Sequence, residues 1–199
     1  MPSRTLVLAS ASPARLRLLR DAGLDPLVEV SGFDEASVTC AEPRELVRRL
    51  AIEKARAVGA RTGHRDALVL GCDSLLVLDG DALGKPESPQ VARQRWMHMR
   101  GRSGVLMTGH AVLDLPTGRL ADDVAETVVH FGTPDDEEID AYVASGEPLA
   151  VAGAFTLDGL SAPFLRGIAG DPGNVIGLSL PLLRHLLRAL DVRVTDLWR

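Results

Sequence analysis

Residues 67–78 read Ala-Leu-Val-Leu-Gly-Cys-Asp-Ser-Leu-Leu-Val-Leu, a run of mostly apolar residues that Asp73 and Ser74 interrupt. A short apolar run bounded by turn residues predicts a buried strand over residues 67–72. Residues 75–78 then predict one arm of a hairpin, closed at Asp79-Gly80-Asp81. Asp73 would lie at the strand end, where its carboxylate is desolvated unless a metal or a cation pairs with it. Such an acid can bind a divalent metal or deprotonate water; the ordinary alternative is a turn-forming aspartate.

Strands and helices alternate around this segment. The other strands are predicted over residues 5–9, 27–30, 105–115 and 120–131. Helices are predicted to begin at Ser12-Pro13, Pro43, Ser88-Pro89 and Thr133-Pro134, since a capping residue followed by proline is a helix start, and the last helix covers residues 180–190. This alternation predicts an α/β domain with some antiparallel pairing. A length of 199 residues suits one sizeable domain, or two lobes that share one core.

The composition is that of a globular protein, with 46% hydrophobic and 25% charged residues. Aromatic residues make up only 4%, so we expect a core built mainly from Leu, Val and Ala. The net charge of -5 argues against a broad nucleic-acid or membrane surface, which needs clustered positive charge. No run of about 18 apolar residues is present, so no membrane span is predicted. Cys40 and Cys72 have no CxxC spacing, which favours a reduced cytoplasmic setting.

The start of the first predicted helix combines several anion-binding features. Ser10-Ala11-Ser12-Pro13-Ala14-Arg15 places two hydroxyls and a guanidinium where a strand ends and a helix begins. Backbone N–H groups at a helix N-terminus bind anions, so this segment is a candidate phosphate cradle. A simple serine N-cap is the ordinary alternative.

Lysine is rare in this chain, because 20 of the 22 basic residues are arginine. Two explanations are open for Lys54 and Lys85: chance survival, or a requirement for a compact ammonium at these positions. Lys54 lies in Glu53-Lys54-Ala55 on the second helix, and Lys85 lies in Gly84-Lys85-Pro86. The latter is not a Walker A loop, because proline follows the lysine; Pro86 forces Lys85 into an extended loop.

Together these residues suit one chemistry. Three cations (Arg15, Lys54 and Lys85), two acids (Glu35 and Asp73) and a hydroxyl-bearing helix start could hold a polyphosphate bridged by a divalent metal. The five histidines show no zinc-ligand spacing.

The same residues, in the same order, resemble the Maf family across nearly the whole chain. The matching segments are Ser-x-Ser-Pro-x-Arg at residues 10–15, Asp34-Glu35, Glu53-Lys54-Ala55, Asp73-Ser74, Gly84-Lys85-Pro86, Thr108-Gly109, Glu126-Thr127-x-Val129-x-Phe131, Ala152-Gly153-Ala154-Phe155, Asn174-Val175-Ile176-Gly177-Leu178 and Pro181. The ordered set is far more specific than any single motif.

The resemblance implies a single Maf-like domain over residues 1–199, an α/β fold of the Maf/ITPase-like type. Its elongated, twisted mixed sheet is flanked by helices, with two lobes around a central cleft, and the family is often homodimeric. The implied activity is hydrolysis of nucleoside triphosphates to monophosphate and diphosphate, helped by Mg²⁺ or Mn²⁺, in the cytoplasm and without nucleic-acid or membrane partners. Residue by residue, Asp73 corresponds to the general base, Ser10, Ser12, Arg15, Lys54 and Lys85 to the substrate-binding residues, and Glu35 with Asp73 to the metal ligands.

Ala14, Ser74 and Asp158 correspond to positions that bear on base specificity. At two of these positions the chain departs from the family branch that acts on thymidine and uridine triphosphates, which resembles it but has Arg where Ala14 stands and Gln where Asp158 stands. The branch that acts on 7-methyl-GTP is also similar, but it carries a bulky residue at the position of Ala14 and Glu at the position of Asp158. Because a carboxylate can accept paired hydrogen bonds from a guanine edge, Asp158 favours a purine-leaning or broadened preference. Ala14 matches neither branch.

Three other functions remain open from the sequence. A related house-cleaning pyrophosphatase for deaminated purine triphosphates should lack the Ser-x-Ser-Pro-x-Arg start. A non-catalytic nucleotide-binding regulator linked to septum formation should bind nucleotides without metal-dependent turnover. A nucleotide kinase or transferase needs a second-substrate site, for which we find no residues.

Overall fold

The computed structural model describes residues 4–199 and has a mixed α/β fold, which confirms the predicted fold class. Its strands are β1 (Thr5–Leu8), β2 (Leu27–Val28), β3 (Ala67–Leu78), β4 (Asp81–Leu83), β5 (Ser103–Asp114), β6 (Leu120–Phe131) and β7 (Leu165–Ala169). Its α-helices are α1 (Pro13–Asp21), α2 (Pro43–Gly59), α3 (Pro89–Met99), α4 (Asp136–Ala144), α5 (Pro172–Ile176) and α6 (Leu180–Ala189). No helix within residues 4–199 is long and apolar enough to cross a membrane.

The seven strands form one sheet in the order β2-β1-β3-β5-β6-β7, and β4 pairs with β3 beside this path. Strand β1 runs parallel to both β2 and β3. Strand β4 is antiparallel to β3, and β7 is antiparallel to β6. The sheet is therefore mixed. Its parallel pairs, β1 with β2 and β1 with β3, are joined by connections that contain helices, and its antiparallel pair β3–β4 is the predicted hairpin.

Two local predictions were wrong. Residues 67–78 form one continuous strand, so Asp73 lies inside β3 rather than at its end. The strand continues because only the side chain of Asp73 is polar, and an ion pair compensates the burial of that carboxylate. Helix α4 is capped by Asp135, not by Thr133-Pro134, because Asp135 and Glu138 form a reciprocal capping box with bonds of 2.9 Å.

Strand β7 and helix α5 were not predicted. Both lie in the glycine-rich segment after Gly153, where half-exposed residues give no apolar alternation. Pairing with β6 therefore decides the conformation of β7.

The chain folds into two compact units. The first runs to Asp73 and also contains Thr108–Ala125 and Gly177–Arg199; the second contains Ser74–Met107 and Glu126–Ile176. The prediction of one Maf-like domain with two lobes around a cleft stays a prediction.

Alternation along the strands of the first unit gives two apolar layers. Leu68, Leu70 and Cys72 on β3 pack in one cluster with residues of α1 and α6. Ala67 and Val69 point to the other face, where they pack against α2. Since successive side chains of a strand alternate between faces, Asp73 lies on the α2 face.

Two glycines bring the backbone of α2 into direct contact with the sheet. A Cβ at Gly71 of β3 would lie 2.1 Å from the carbonyl oxygen of Ala51, and a Cβ at Gly109 of β5 would lie 2.1 Å from that of Val47. No real side chain fits at such a distance, so glycine is required at both positions. This close approach fixes α2, and with it Lys54, over β3.

Most buried apolar residues are Leu, Val and Ala, as expected from the composition, but the core of the second unit also contains an aromatic cluster. Trp96 of α3 packs edge-to-face with Phe131, Tyr142 and Phe164, at centroid distances of 5.5–5.8 Å. Its indole Nε1 donates to the carbonyl of Ala154 at 2.7 Å, so the buried ring leaves no polar atom unpaired. The few aromatic residues of the chain are concentrated in this unit.

We predict that Gly71→Ala lowers the free energy of unfolding by about 2 kcal/mol or more, since the new methyl group has no space against the α2 backbone. Gly63→Ala is the matched control, because a Cβ there meets no atom within 4 Å. Urea unfolding followed by circular dichroism measures both. Equal stabilities of the two variants would contradict the close packing at Gly71.

Candidate active site

Lys54 joins two carboxylates in the first unit. Its Nζ lies 2.5 Å from Oδ1 of Asp73 and 2.7 Å from Oε1 of Glu35. The side chains of Lys54 and Asp73 are only 10% and 13% exposed, whereas that of Glu35 is 58% exposed. The structure thus brings together the predicted base, one predicted phosphate ligand and the second predicted metal ligand.

Each member of this cluster is held by a different element. Lys54 lies at the start of the fourth turn of α2, a helix that Pro43 starts and whose apolar stripe faces the sheet. Asp73 reaches the same face from β3. Glu35 begins a short 3-10 turn, Glu35–Ser37, which Asp34 caps by accepting a 3.1 Å bond from the N–H of Ala36.

Burial raises the pKa of Asp73 above its ordinary value. The ammonium of Lys54 and the guanidinium of Arg15 act in the opposite direction, and the carboxylate of Glu35 adds to the increase. Asp73 is therefore a more basic carboxylate than an exposed aspartate.

Arg15 is held against this cluster by three protein oxygens. Its Nη1 donates to Ser10 Oγ at 3.1 Å and to the carbonyl of Cys72 at 2.9 Å, and its Nε donates to the carbonyl of Gly177 at 2.8 Å. Because Cys72 precedes Asp73, the guanidinium is fixed beside the base candidate. Ser10 also accepts a 3.2 Å bond from the N–H of Ser12, so Ser10, Ser12 and Arg15 form a connected set, and phosphate binding by this set stays a prediction.

Ser12 has the ordinary role that the sequence left open. Its hydroxyl caps α1 by accepting a 3.4 Å bond from the N–H of Arg15. Ala14 is half-buried in the first turn of the same helix. Substrate contacts by Ser12 and a specificity role of Ala14 stay predictions.

The predicted site residues of the second unit lie on three different segments. Ser74 is half-buried on β3; Lys85 is exposed in the loop between β4 and α3, where Pro86 was expected to keep it out of a helix. Asp158 is exposed in the loop of residues 156–161. The roles of these residues in substrate binding and base choice stay predictions.

Arg95 and Gly153, to which the sequence assigned no role, support the loop of Lys85. Arg95 of α3 donates from Nη1 to the carbonyl of Gly84 at 2.6 Å, and the N–H of Gly153 donates to the same oxygen at 3.1 Å. Gly153 has φ +71° and a Cβ there would lie 2.8 Å from Cβ of Leu76, so only glycine fits. This explains part of the Ala152-Gly153-Ala154-Phe155 motif: it holds the loop of Lys85.

Gly177 is the third missed residue. Its carbonyl fixes Arg15, and its φ of +124° is one that side chains rarely adopt. The ordered motif Asn174-Val175-Ile176-Gly177-Leu178 was the available signal, but nothing local to it points to Arg15, which is 162 positions away.

The donor set fits a divalent metal that is shared with a polyphosphate. Glu35 and Asp73 converge on one point, the ammonium of Lys54. Mg²⁺ is commonly bound by one or two carboxylates together with substrate phosphates, rather than by an all-protein cage. Within residues 4–199 no group of three or more His, Cys, Asp or Glu side chains could hold a metal alone. Glu35 and Asp73 are the two carboxylates that would contribute to such a site, and their role as metal ligands stays a prediction.

The sequence matches the family model described as Maf-like protein over residues 5–190. The chain belongs to the Maf family. A protein of Streptomyces avermitilis is 61% identical over 99% of this chain and 96% of its own length, and one of Streptomyces coelicolor is 62% identical with the same coverage. A third, from Thermosynechococcus vestitus, is 54% identical over 96% of each chain. All three carry the name nucleoside triphosphate pyrophosphatase, and the predicted family is confirmed.

We predict that Lys54→Met lowers kcat/KM for nucleoside triphosphates about 100-fold, because it removes the buried positive charge between the two carboxylates. Arg56→Met is the matched control: this exposed cation lies on the same helix and pairs only with Glu53 among the ion pairs of residues 4–199. Steady-state kinetics on both folded variants checks the prediction. An equal loss in both would mean that charge on α2, rather than the site, matters.

Cys72 should be chemically silent in the folded protein. Burial raises its pKa to about 11, and the side chain is fully buried, so little thiolate is present or accessible at pH 8. We expect a thiol-reactive disulfide reagent to modify Cys40, which is half-buried, and to reach Cys72 only on unfolding. In Cys40→Ser the native reaction should disappear; its persistence would contradict the burial of Cys72.

Proposed function

We propose that this Maf protein hydrolyses nucleoside triphosphates between the α- and β-phosphates, releasing a nucleoside monophosphate and diphosphate. The observation that carries the proposal is the buried Lys54–Asp73 pair with Glu35 on the same ammonium and Arg15 fixed beside it. The names of relatives that are 61% and 62% identical support the same reaction, a hydrolysis of phosphoric anhydrides.

In the proposed reaction Asp73 accepts a proton from a water molecule. The water oxygen forms a bond to the α-phosphorus while the bond between that phosphorus and the bridging oxygen breaks, and the electron pair leaves with diphosphate. Lys54 and Arg15, together with Lys85 in the proposed substrate complex, neutralise negative charge on the phosphates, which is the main requirement of phosphoryl chemistry. Ser10 orients Arg15 through its 3.1 Å hydrogen bond.

A divalent cation, Mg²⁺ or Mn²⁺, is part of the proposal. Glu35 and Asp73 would hold it, and it would neutralise the phosphates and polarise the phosphorus–oxygen bonds. The two protein carboxylates alone do not complete a coordination shell, which supports entry of the metal with the triphosphate.

For the base, we propose a purine-leaning or broadened preference, set by Asp158 with contributions from Ala14 and Ser74. A carboxylate accepts two hydrogen bonds from the adjacent N–H donors of guanine, whereas uracil offers one N–H between two carbonyls. The proposal also includes a homodimer and a cytoplasmic house-cleaning role, as the family resemblance implies.

Turnover in ¹⁸O-labelled water tests the bond that is cleaved. The protein is incubated with nucleoside triphosphates and Mg²⁺ or Mn²⁺, and the products are separated by anion exchange. We expect monophosphate and diphosphate, with ¹⁸O only in the monophosphate, since attack occurs at the α-phosphorus. Label in the diphosphate would place the attack at the β-phosphorus, and nucleoside diphosphate as product would rule out the reaction.

Asp73→Asn should lose turnover by about 1,000-fold or more, because the amide cannot accept the proton. Asp66→Asn is the matched control, since Asp66 is 76% exposed on the turn before β3. Binding of nucleotides by the wild type without any metal-dependent turnover would instead favour the non-catalytic regulator.

A further inference from the structure

The loop of residues 156–161 is built around the carboxylate of Glu147. Glu147 Oε1 accepts a 2.6 Å bond from Thr156 Oγ1, and the N–H of Leu160 donates to Oε1 and Oε2 at 3.0 and 3.1 Å. Partial burial alone would raise the pKa of Glu147, but the hydrogen bonds from Thr156 and Leu160 outweigh it and lower the pKa below its ordinary value. The carboxylate of Glu147 is therefore charged at neutral pH, and the hydrogen bonds from Thr156 and Leu160 fix its position.

The same loop is closed on itself by a buried serine. The N–H of Thr156 donates to Ser161 Oγ at 2.8 Å, and that hydroxyl donates to the carbonyl of Thr156 at 3.0 Å. Ser161 is fully buried. A Cβ at Gly159 would lie 2.5 Å from Thr156 Oγ1 and 2.7 Å from Glu147 Oε1, so the loop can wrap the carboxylate only with glycine there. These contacts make the loop rigid without a regular secondary structure.

Two side chains of this rigid loop lie at the surface. Asp158 is an exposed carboxylate, and Leu160 is an apolar side chain that is 59% exposed. A nucleobase has the complementary chemistry, since its faces are apolar and its edge carries hydrogen-bond donors. On this loop the carboxylate of Asp158 can therefore accept hydrogen bonds from the edge of a base, and the side chain of Leu160 can contact its face.

We infer that Glu147 is a positioning residue for base recognition, holding the loop of residues 156–161 so that Asp158 meets the base edge and Leu160 its face. The inference rests on the proposed nucleotide substrate, and it adds Glu147 and Leu160 to the residues that select it. Glu147 does not touch the substrate; it acts through the backbone of Leu160 and the hydroxyl of Thr156.

Binding, rather than turnover, tests this inference. We would measure dissociation constants for the α,β-methylene analogues of GTP and UTP by calorimetry, and for inorganic tripolyphosphate, which has no base. In Glu147→Gln an amide N–H₂ replaces one acceptor, so we expect the GTP analogue to bind about tenfold more weakly and its advantage over the UTP analogue to shrink. Tripolyphosphate should bind as it does to the wild type.

Glu137→Gln is the matched control, because Glu137 is an exposed acid on α4 of the same unit. Leu160→Ser is the second variant, since an exposed side chain can be changed without disturbing the fold. It should weaken both analogues by a similar factor, about three- to tenfold, because apolar contact with the base face is lost, and it should leave their ratio and tripolyphosphate binding unchanged.

Three results would overturn the inference. One is an unchanged ratio of the two analogues in a folded Glu147→Gln, and another is an equal loss of tripolyphosphate affinity. The third is equal affinity of the wild type for both analogues; pyrophosphatase turnover in the same preparation would then leave the proposed function intact. If Glu147→Gln does not fold, unchanged nucleotide binding by Leu160→Ser rejects the inference.

Discussion

The contact between the backbone of α2 and the sheet is the constraint on which the site depends. Gly71 and Gly109 lie on the face of β3 and β5 that packs against α2, and no side chain fits between either glycine and the helix. The helix therefore lies closer to the strands than side chains would allow. Lys54, between Ala51 and Ala55 on α2, then reaches Asp73, which is two residues after Gly71 and so on the same face. A packing requirement thus determines an electrostatic arrangement.

That arrangement balances burial against charge. Burying the carboxylate of Asp73 inside an apolar strand costs free energy. The positive charges of Lys54 and Arg15 offset this cost. Arg15 is itself fixed by Ser10 and by two backbone carbonyls, so its charge is oriented before any ligand binds. Preorganised charge is effective in phosphoryl chemistry because little reorganisation is needed during the reaction. The cluster therefore places two oriented cations beside Asp73, which is the arrangement that the proposed function requires.

In the second unit the candidate residues Lys85 and Asp158 lie on loops, whereas Ser74 lies on β3, and each of the two loops is held by a nearby side chain. Arg95 and Gly153 fix the carbonyl of Gly84, beside Lys85. Glu147 holds the loop of Asp158. The aromatic cluster around Trp96 supports both loops. The indole N–H of Trp96 donates to the carbonyl of Ala154, which lies between Gly153 and the loop of residues 156–161. Loops that must present side chains accurately need such supports, because they lack a hydrogen-bonded ladder of their own.

The sequence by itself determined the helix starts at Pro13, Pro43 and Pro89, most strand positions and the loop at Lys85, because caps, prolines and periodicity act over a few neighbouring residues. The candidate residues came instead from the chemistry of their side chains and from the ordered resemblance to the Maf family. It could not reveal that Asp73 lies inside a strand, that Gly177 holds Arg15, or that Glu147 organises a loop nine residues and more away. The tertiary structure decided these features. Each is a contact between segments that local propensity treats as independent, and only packing in three dimensions brings their polar groups within hydrogen-bond distance.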